Sequence, residues 1–501
     1  MSKQVLVAGA GPVGMTMAAA LKRLGVDVRI VDKSAARTDK SKALVLWPRT
    51  LELMDIQGCL QGFLDAGMEG KGARILADGH ELVHVSLDIA RSRYRFTLLI
   101  PQNETERLLE EELQRRGVAV ERQVELQSFA DDGAGVTAKL LHADGTVETA
   151  RFSYLAGCDG AHSAVRHGLG SKFEGVTEPS DWALADIRLK GEVAQDELTI
   201  CWQPAGILAL FPIVGGRFRV IGDMGPASAE VAPPLTLADV QKLLDDRAPP
   251  GLQAYDPFWL SRFRINERKV KDYRKGRAFL AGDAAHIHSP AGGQGMNTGM
   301  QDAFNLAWKL ALVCHGRAKE SLLDSYSPER SAIGDQVLHN AGQMTRVALI
   351  RNPILQGIRN AAAGALGHLP AFRQRLVDQL TEVDLHYEKG PLTGQGHGAS
   401  HIPANGHRAQ DIMLTAGPGG RARLHEMLHE GKFALLSVGA PPVALPEDLG
   451  AIAATATAAD ADANYAAGHH YLIRPDGYVA LSTGAGTAEP IIDFLRKIAT
   501  A

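Results

Sequence analysis

The hydrophobic pattern of the first thirty residues predicts a strand, a tight turn, a helix and a second strand. A β-branched apolar run at residues 4–8 is followed by glycines within 9–14, by helix-forming residues at 15–24 and by another apolar run at 27–32. Parallel strands joined by a helix belong to sheets that helices cover on both faces. The pattern therefore predicts an α/β fold of the Rossmann type at the start of the chain.

Further along, the pattern changes to short apolar strands separated by Gly, Pro and Asp, from about residue 170 to residue 274. Strands that alternate between apolar and polar positions are also expected at about 73–100. This pattern is typical of an antiparallel sheet, which we expect to form a second layer inserted into the Rossmann-type part. A buried strand returns at 277–281, and helices are predicted at 48–58, 103–116 and 300–314 and through most of 329–380.

The last hundred residues have strands of their own, at 433–438, 471–473 and 479–481, after a Gly/Pro/His-rich link at 390–405. We therefore expect a division of the chain into four parts. These are residues 1–170 (with strands at about 73–100 given to the inserted sheet), 171–274, 275–395 and 396–501.

Composition narrows the classes of partner. The chain of 501 residues has 53 basic and 57 acidic side chains, so its balanced charge favours no nucleic-acid partner. Its longest apolar run, residues 207–214, is too short to span a bilayer. The apolar N-terminus superficially mimics a signal peptide, but it contains a glycine motif and leads into a second strand. The four cysteines form no C-x-x-C pair, which favours a reducing cytoplasm, and the sequence assigns no metal site.

The first motif that carries chemistry is Gly9-x-Gly11-x-x-Gly14, with Asp32 at the end of the next strand. Gly9 permits a tight turn, Gly11 lets the backbone approach a pyrophosphate, and Gly14 lets helix and strand pack closely. The helix N-terminus then faces the anion, and the acid accepts hydrogen bonds from a ribose. The motif predicts a dinucleotide site, and the alternative is a glycine-rich turn without a ligand.

Two further motifs follow apolar strands, at residues 158–166 (CDGAHSAVR) and 281–297 (AGDAAH, then SPAGGQGMN after two residues). Glycines beside Asp283 let the backbone come close to a ligand and leave its carboxylate free to bind a polyol chain. Amides near residues 295–297 begin a helix, whose positive end favours negative charge.

With these three motifs in this order, the sequence resembles the class A (single-component) FAD-dependent aromatic hydroxylases, which share the para-hydroxybenzoate hydroxylase fold. The resemblance runs from Val5 to about Arg330 and continues weakly to the end. There the segment from about Gly396, with Arg474-Pro475-Asp476-Gly477 and no C-x-x-C, is similar to the thioredoxin-like C-terminal domain of larger members. The polyketide- and phenol-hydroxylase branch is the most similar.

The resemblance implies a set of FAD contacts. Gly9, Gly11 and Gly14 would bind the pyrophosphate, Asp32 the adenosine ribose, and Gln102 and Asp283 the ribityl chain, while Pro290 to Asn297 would border the flavin ring. Lys42 stands where many members have an arginine, so that it keeps the charge but loses the fork. Asp159 is expected to fix its loop rather than to touch a ligand. The whole predicted set is Gly9, Ala10, Gly11, Pro12, Val13, Gly14, Asp32, Lys33, Lys42, Gln102, Leu126, Asp159, Gly282, Asp283, Pro290, Gly293, Gly295, Met296 and Asn297.

The resemblance also implies the reaction: NAD(P)H reduces FAD, O2 adds to give a C4a-hydroperoxide, and its distal oxygen hydroxylates a phenolic or polyketide-type aromatic substrate. With a single dinucleotide fingerprint, NAD(P)H is expected to bind only transiently. Weak candidates for a general base are His84, His286 and His288, of which His286 is expected to be structural. Candidate substrate contacts are Trp47, Trp202, Leu208, Phe211 and Met224.

Alternatives stay open at this point. A reductase or oxidase, a Baeyer–Villiger oxygenase, and a non-catalytic nucleotide-binding protein use the same frame. Residues 344–380 fit either a substrate entrance or a subunit contact, as in a homodimer.

Overall fold

The computed structural model describes residues 4–227, 233–394, 403–459, 464–484 and 486–500. The domain limit expected between residues 395 and 396 lies outside the described residues. The strands are β1 (Gln4–Ala8), β2 (Asp27–Asp32), β3 (Val45–Leu46), β4 (Met68–Gly70), β5 (Gly72–Ala77), β6 (His80–Ser86), β7 (Thr97–Leu99), β8 (Val120–Arg122), β9 (Glu125–Asp131), β10 (Val136–Leu141), β11 (Val147–Phe152), β12 (Tyr154–Gly157), β13 (Glu174–Lys190), β14 (Glu197–Gln203), β15 (Gly206–Ile213), β16 (Arg217–Pro226), β17 (Gln253–Lys269), β18 (Arg274–Lys275), β19 (Ala278–Leu280), β20 (His286–Ile287), β21 (Phe433–Val438), β22 (Ala453–Ala458), β23 (His469–Ile473) and β24 (Val479–Gly484).

The α-helices are α1 (Pro12–Arg23), α2 (Pro48–Gln57), α3 (Leu60–Ala66), α4 (Gln102–Arg115), α5 (Ala164–Gly168), α6 (Leu237–Arg247), α7 (Gly295–Cys314), α8 (Tyr326–Ala348), α9 (Pro353–Gly367), α10 (Pro370–Leu380), α11 (Leu424–Leu428) and α12 (Glu489–Ile498). The predicted helices at 48–58 and 103–116 are confirmed to within a residue. The helix predicted at 300–314 begins five residues earlier, at Gly295.

The N-terminal β-α-β unit opens a six-stranded sheet in the order β18-β19-β12-β1-β2-β8, in which all strands but β18 are parallel. Helices α1 and α7 pack together beside it. Strand β1 is buried throughout most of its length, as expected for the centre of a covered parallel sheet.

The second layer is an eight-stranded sheet in the order β20-β17-β13-β16-β15-β14-β5-β6. Strands β5 and β6, from the stretch at 73–100, join its edge beside β14. The long strands β13 and β17 pair antiparallel next to its β20 edge, and α6 packs against the sheet through a small apolar core. Two smaller three-stranded sheets, β11-β10-β9 and β3-β7-β4, complete the N-terminal part.

The C-terminal sheet has the order β22-β21-β23-β24, with only the β21–β22 pair parallel, and α12 follows it. This arrangement agrees with the thioredoxin-like domain that the resemblance implied. Its core is continuous with that of the nucleotide-binding part: the rings of Trp308 on α7 and Phe433 on β21 meet edge to face at 5.4 Å. Among the described residues, no helix has the length and apolar character needed to cross a bilayer.

Candidate active site

Two cavities meet between the parallel sheet and the eight-stranded sheet. One is a groove of about 360 Å³ lined by the β1–α1 turn, by residues 42–45 and by residues 283–296. The other is an apolar cavity of about 340 Å³ between the eight-stranded sheet and helices α8 and α10. Both are lined by Phe211, Ile221, Ser289 and Pro290. A ligand in the groove and a ligand in the cavity would therefore come closest to each other beside these four residues.

The glycine motif has the geometry that its spacing predicts. Gly9 has a φ of 97°, and a Cβ there would lie 2.4 Å from the carbonyl oxygen of Cys158. A Cβ on Gly14 would lie 1.9 Å from the carbonyl oxygen of Gly9. Gly11, in contrast, has open space where its Cβ would be, and it lines the groove. Two glycines thus permit close packing, and the third leaves room for a ligand at the N-terminus of α1.

Asp32 ends β2 beside this turn. Its Oδ2 accepts a hydrogen bond from the Ala10 amide at 2.7 Å, and its Oδ1 accepts one from the Ser34 amide at 2.7 Å. The carboxylate is thereby held at the edge of the glycine turn. A ribose hydroxyl would donate to its remaining lone pairs.

The second and third motifs contact each other. Asp159 accepts a hydrogen bond from the Val165 amide at 3.2 Å, and burial raises the pKa of its carboxyl. Arg166, which is buried, donates from Nη1 to the carbonyl of Ala284 at 3.3 Å and from Nη2 to that of Ala161 at 2.8 Å. These bonds agree with a loop-fixing role for Asp159.

The turn at Gly282-Asp283 is held from behind by Asp302 on α7. The buried carboxylate of Asp302 accepts from the Gly282 amide at 2.9 Å, from His286 Nε2 at 2.7 Å and from Arg330 Nε at 2.6 Å. The His286 ring is therefore engaged in holding the turn, which supports the structural role expected for it. Asp283 and Lys42 both line the groove, and the side chain of Asp283 is exposed there.

Residues 290–297 lie along the groove and are fastened to residues 45–47. Asn297 donates from Nδ2 to the carbonyl of Val45 at 2.9 Å and accepts at Oδ1 from the Trp47 amide at 2.9 Å. The indole of Trp47 donates to the carbonyl of Gly292 at 2.8 Å. The first-turn amides at Gly295 and Met296 have no acceptor within the helix, and both residues line the groove. This helix end can hold negative charge on a bound ring system.

Residues 41–45 form the opposite wall and depend on a residue that the sequence did not single out. Arg219 on β16 binds both carboxylate oxygens of Asp186 at 2.8 Å. The same guanidinium donates to the carbonyl of Lys42 at 2.8 Å and to that of Ser41. A lone arginine in an alternating strand carries no motif, so its place at the groove emerges only from the packing of the two layers. Gln102 supports the same wall by accepting from the Ala43 amide at 3.1 Å.

His288 also lines the groove. Its Nδ1 lies 3.0 Å from the carbonyl of Ser289, and its Nε2 is buried without a hydrogen-bond partner. Burial and the neighbouring His286 lower the pKa of this ring to about 4, so that it is neutral at physiological pH. A carbonyl oxygen can only accept a hydrogen bond, so Nδ1 carries the proton of the neutral ring. Nε2 is then free to accept a hydrogen bond.

His84 does not meet the requirement for a base in the cavity. Its neighbour Val83 lines the apolar cavity, and alternation along β6 turns His84 to the other face. There it pairs with Glu197 at 2.8 Å. The candidacy of His84 is therefore corrected.

The predicted substrate contacts divide into two groups. Trp202 and Phe211 line the apolar cavity. Leu208 is fully buried against α6, on the face of β15 opposite to its cavity-lining neighbours Ile207 and Ala209, and Met224 packs against the same core. Trp47 is buried and fastens the groove loop. The predictions for Leu208, Met224 and Trp47 as substrate contacts are therefore corrected.

Sequence reasoning named residues 344–380 only as a segment and singled out few residues of the cavity wall. That wall includes Asn340, Gln343 and Met344 of α8 and Phe372, Leu376 and Gln379 of α10. These helices line the cavity, so Met344, Phe372, Leu376 and Gln379 face it, and both a substrate entrance and a subunit contact stay predictions for residues 344–380. Apolar and amide side chains at helical spacing are common in any protein core. Only the position of the two helices in the fold shows that these residues line a cavity.

Two of the expected cofactor contacts lie away from the groove surface. The side chain of Leu126 is buried in the main core on β9, and that of Lys33 is exposed. Contacts by these two residues stay predictions.

Comparison with known proteins agrees with this geometry. Residues 2–341 match the family model described as FAD binding domain, and residues 402–500 match the one described as Aromatic-ring hydroxylase, C-terminal. The chain belongs to the FAD-dependent aromatic-ring monooxygenases.

Several relatives extend over its whole length. An uncharacterised aromatic compound monooxygenase of Bacillus subtilis is 33% identical, covering 98% of this chain and 96% of the relative. The 6-methylpretetramide 4-monooxygenase of Streptomyces rimosus is 34% identical, over 95% of this chain and 90% of its own. Among solved structures, an anhydrotetracycline hydroxylase from Streptomyces rimosus superposes with a TM-score of 0.79 at 30% identity, covering 99% of both chains.

The residues present fit the cofactor of the family. The open space above Gly11, the carboxylate of Asp283 in the groove and the free first-turn amides of α7 suit a pyrophosphate, a polyol chain and a ring that carries negative charge, in that order along the groove. The enzyme is an FAD-dependent monooxygenase that uses O2.

Proposed function

We propose that this enzyme hydroxylates a fused-ring, polyketide-type aromatic compound rather than a single-ring phenol. The observation that carries the proposal is the apolar cavity that meets the groove at Phe211, Ile221, Ser289 and Pro290. Its volume of about 340 Å³ is within the range of cavities that enclose drug-sized ligands. Full-length relatives named for tetracycline-type substrates support the same class.

Within this proposal the cavity residues position the ring by shape and exclude water. Trp182, Trp202 and Phe372 offer aromatic surface, and the amides of Asn340, Gln343 and Gln379 offer hydrogen bonds to ring hydroxyl or keto groups. Bound FAD supplies the activated oxygen that the ring receives. The groove residues would hold FAD beside the four shared residues, and the substrate ring would present the carbon to be oxygenated at this boundary.

The described lining of the apolar cavity contains no ionisable side chain. We propose that the substrate reacts in whatever ionisation state it brings from solution. His288 precedes Ser289 and Pro290 in the chain, but it lines the groove and is not part of the described lining of the apolar cavity. In this proposal the substrate's hydroxyl group loses its proton to solvent because of its own acidity, and no histidine is needed as a general base.

The experiment is a reaction of FAD-loaded enzyme with NAD(P)H and ¹⁸O₂ in the presence of fused-ring polyketides and matched single-ring phenols. We expect one ¹⁸O atom in a product formed from the fused-ring compounds, with NMR showing a new ring hydroxyl. A ring-expanded lactone would indicate Baeyer–Villiger insertion instead. Oxidation of NAD(P)H without labelled product from any compound would contradict the proposal and favour a reductase or oxidase.

NAD(P)H as the transient reductant is part of this proposal, and the single dinucleotide fingerprint supports it. So are the domain limits near residues 170, 274 and 395. A cytoplasmic location is supported by the four cysteines, which form no disulfide within the described residues.

A homodimer is supported by the exposed apolar side chains of α9, Ile354, Leu355 and Ile358. Sedimentation of the wild type beside Ile358→Glu tests it: we expect a dimer that the variant disrupts, and a wild-type monomer would contradict it.

A further inference from the structure

Two imidazoles and a carboxylate come together where the chain leaves α10 and approaches the C-terminal sheet. His407 Nε2 lies 3.2 Å from Glu388 Oε1, and His386 Nε2 lies 3.8 Å from the same oxygen. The ligand atoms of all three residues lie within 4.8 Å of one another, and the two rings stack at 4.5 Å between their centres. None of these three residues lines the groove, which is built from other elements.

The backbone builds this cluster through a buried anchor. Tyr387 is buried, and its hydroxyl oxygen accepts from Arg330 Nη1 at 2.9 Å and from Asn305 Nδ2 at 3.3 Å. Its ring packs on that of Tyr478 at 4.5 Å between centres. Tyr387 is buried, whereas its two neighbours, His386 and Glu388, are half-buried and exposed, respectively. His386 and Glu388 therefore emerge together.

The third residue arrives by a constrained turn. Gly406 has a φ of 83°, and a Cβ there would lie 2.7 Å from the Glu388 amide nitrogen. Its carbonyl accepts from the Tyr387 amide at 2.8 Å. Only glycine fits this close crossing, and it delivers His407 against Glu388.

One imidazole is already oriented as metal ligands are. His386 Nδ1 lies 2.6 Å from the carbonyl of Asp384, which can only accept, so Nδ1 carries the proton. The lone pair of the neutral ring is then on Nε2, the nitrogen that faces Glu388. A backbone carbonyl holding the second nitrogen is the usual partner of a metal-binding histidine.

We propose that His386, Glu388 and His407 form a divalent transition-metal site, for Zn²⁺ in the first place, which clasps the chain entering the C-terminal part to the chain leaving α10. Two imidazole nitrogens and one carboxylate oxygen are ligands that Zn²⁺ takes, with solvent in the fourth position. With bonds of about 2.0–2.2 Å, tetrahedral ligands lie about 3.3–3.6 Å apart, so the ligand atoms need shifts of about 1 Å. The two rings are stacked at 7° to one another, so metal binding must also turn at least one of them until both Nε2 lone pairs point to the same ion.

A second cluster in the described residues shows the contrast. Asp55, Asp411 and His425 are equally close, but Arg423 occupies the space between the carboxylates, at 3.0 Å from Asp55 and 2.5 Å from Asp411. That cluster already has its cation. The sequence showed neither cluster, because His386 and His407 are 21 positions apart and match no zinc spacing.

The test is calorimetric titration of FAD-loaded, chelator-treated enzyme with ZnCl₂. We expect one Zn²⁺ per chain with a dissociation constant of 10 µM or tighter, and a rise in Tm on addition of Zn²⁺. His407→Ala and Glu388→Gln should each weaken binding at least tenfold and remove the rise in Tm. Glu388→Gln alters one exposed side chain, so it tests the site without risk to folding.

The matched control is His142→Ala. His142 also pairs with a glutamate, Glu148, at 2.9 Å and at similar exposure, but it belongs to neither of the three-residue clusters found in the described chain. Its removal should leave Zn²⁺ binding unchanged. Binding weaker than 10 µM in the wild type, or binding of undiminished strength in His407→Ala, would overturn the proposal.

Discussion

The guanidinium of Arg219 reaches from the eight-stranded sheet to the carbonyl oxygen of Lys42, 2.8 Å away in the wall of the FAD groove. Its other contacts, with Asp186 and Ser41, keep it fully engaged and buried. The sheet that forms the substrate cavity thus also fixes the loop that faces the cofactor. The position of the Lys42 loop is set by this arginine.

We predict that Arg219→Lys weakens FAD binding about tenfold while the protein stays folded. Lysine keeps the charge opposite Asp186 but lacks the fork that also reaches the two carbonyls. Fluorescence titration of the apoprotein with FAD measures the change. Arg188→Lys, at an exposed pair with Asp256, is the control and should bind FAD normally. Equal affinity in both variants would refute the role of Arg219.

Asp283→Ala should weaken FAD binding by more than tenfold, or yield protein that purifies without flavin. The carboxylate lines the groove and is positioned by the turn that Asp302 holds. Loss of a charge-assisted hydrogen bond to a polyol costs about 1.5–3 kcal/mol. The same titration checks it, with Asp272→Ala, an exposed carboxylate, as the control. Tight flavin in Asp283→Ala would remove this residue from the cofactor site.

Helix α7 shows how much of the fold could be predicted from the sequence. The apolar pattern places this helix at 300–314, and only the motif places its start near 295–297, where the structure has it at Gly295. A Cβ on Gly299 would lie 2.7 Å from Val13 and 3.0 Å from Gly282, so this glycine serves close packing between two motifs rather than flexibility. Local composition cannot distinguish these roles, because the neighbour that decides is almost 290 positions away. The three motifs could be recognised in the sequence because each consists of fixed residue types at short spacing.

The cavity was less predictable for the same reason. Period-2 alternation places Leu208 and Ile207 on opposite faces of β15, but it does not say which face meets α6 and which meets α8. The sequence therefore proposed Leu208 and missed Ile207. Arg219 and Gln343 were missed because single polar residues acquire meaning only once the layers are packed.

Glu382 makes stability depend on pH. It is buried, it has a φ of 60°, and it accepts from Thr298 at 3.1 Å and from Gln301 at 2.6 Å on α7. Burial raises the pKa of its carboxyl from about 4.5 to about 8. The folded protein then binds more protons than the unfolded chain between these values, so this group lowers stability as pH rises from 4.5 to 8.

We predict that Glu382→Gln removes this loss. Each unit of upward shift is worth about 1.4 kcal/mol, so the variant should gain at least that much on the wild type between pH 6 and pH 9. Urea unfolding at the two pH values measures it. Glu69→Gln, at an exposed site, should follow the wild type. A parallel pH dependence in Glu382→Gln would show that Glu382 ionises normally.

If the substrate supplies its own acidity, the pH profile should belong to the substrate. Because the described cavity lining has no ionisable group, kcat/KM for a series of ring-substituted substrates should rise around the pKa of each substrate's own hydroxyl. Steady-state rates of labelled product formation against pH measure this. A profile that keeps one midpoint across the whole series would assign the titration to the enzyme, and His288→Gln would then be the variant to examine.

Phe211 stands where the cavity and the groove meet, and its substitution should separate cofactor binding from substrate turnover. In Phe211→Trp the larger ring narrows the shared boundary, so we expect FAD to stay bound while KM rises severalfold and less product forms per NAD(P)H consumed. Leu208→Met is the matched control on the same strand, since it changes a side chain on the face turned to α6. Such volume-conserving changes cost under about 1.5 kcal/mol and should leave KM and coupling intact. If Leu208→Met disturbed turnover as much as Phe211→Trp, the assignment of the two faces of β15 would be wrong.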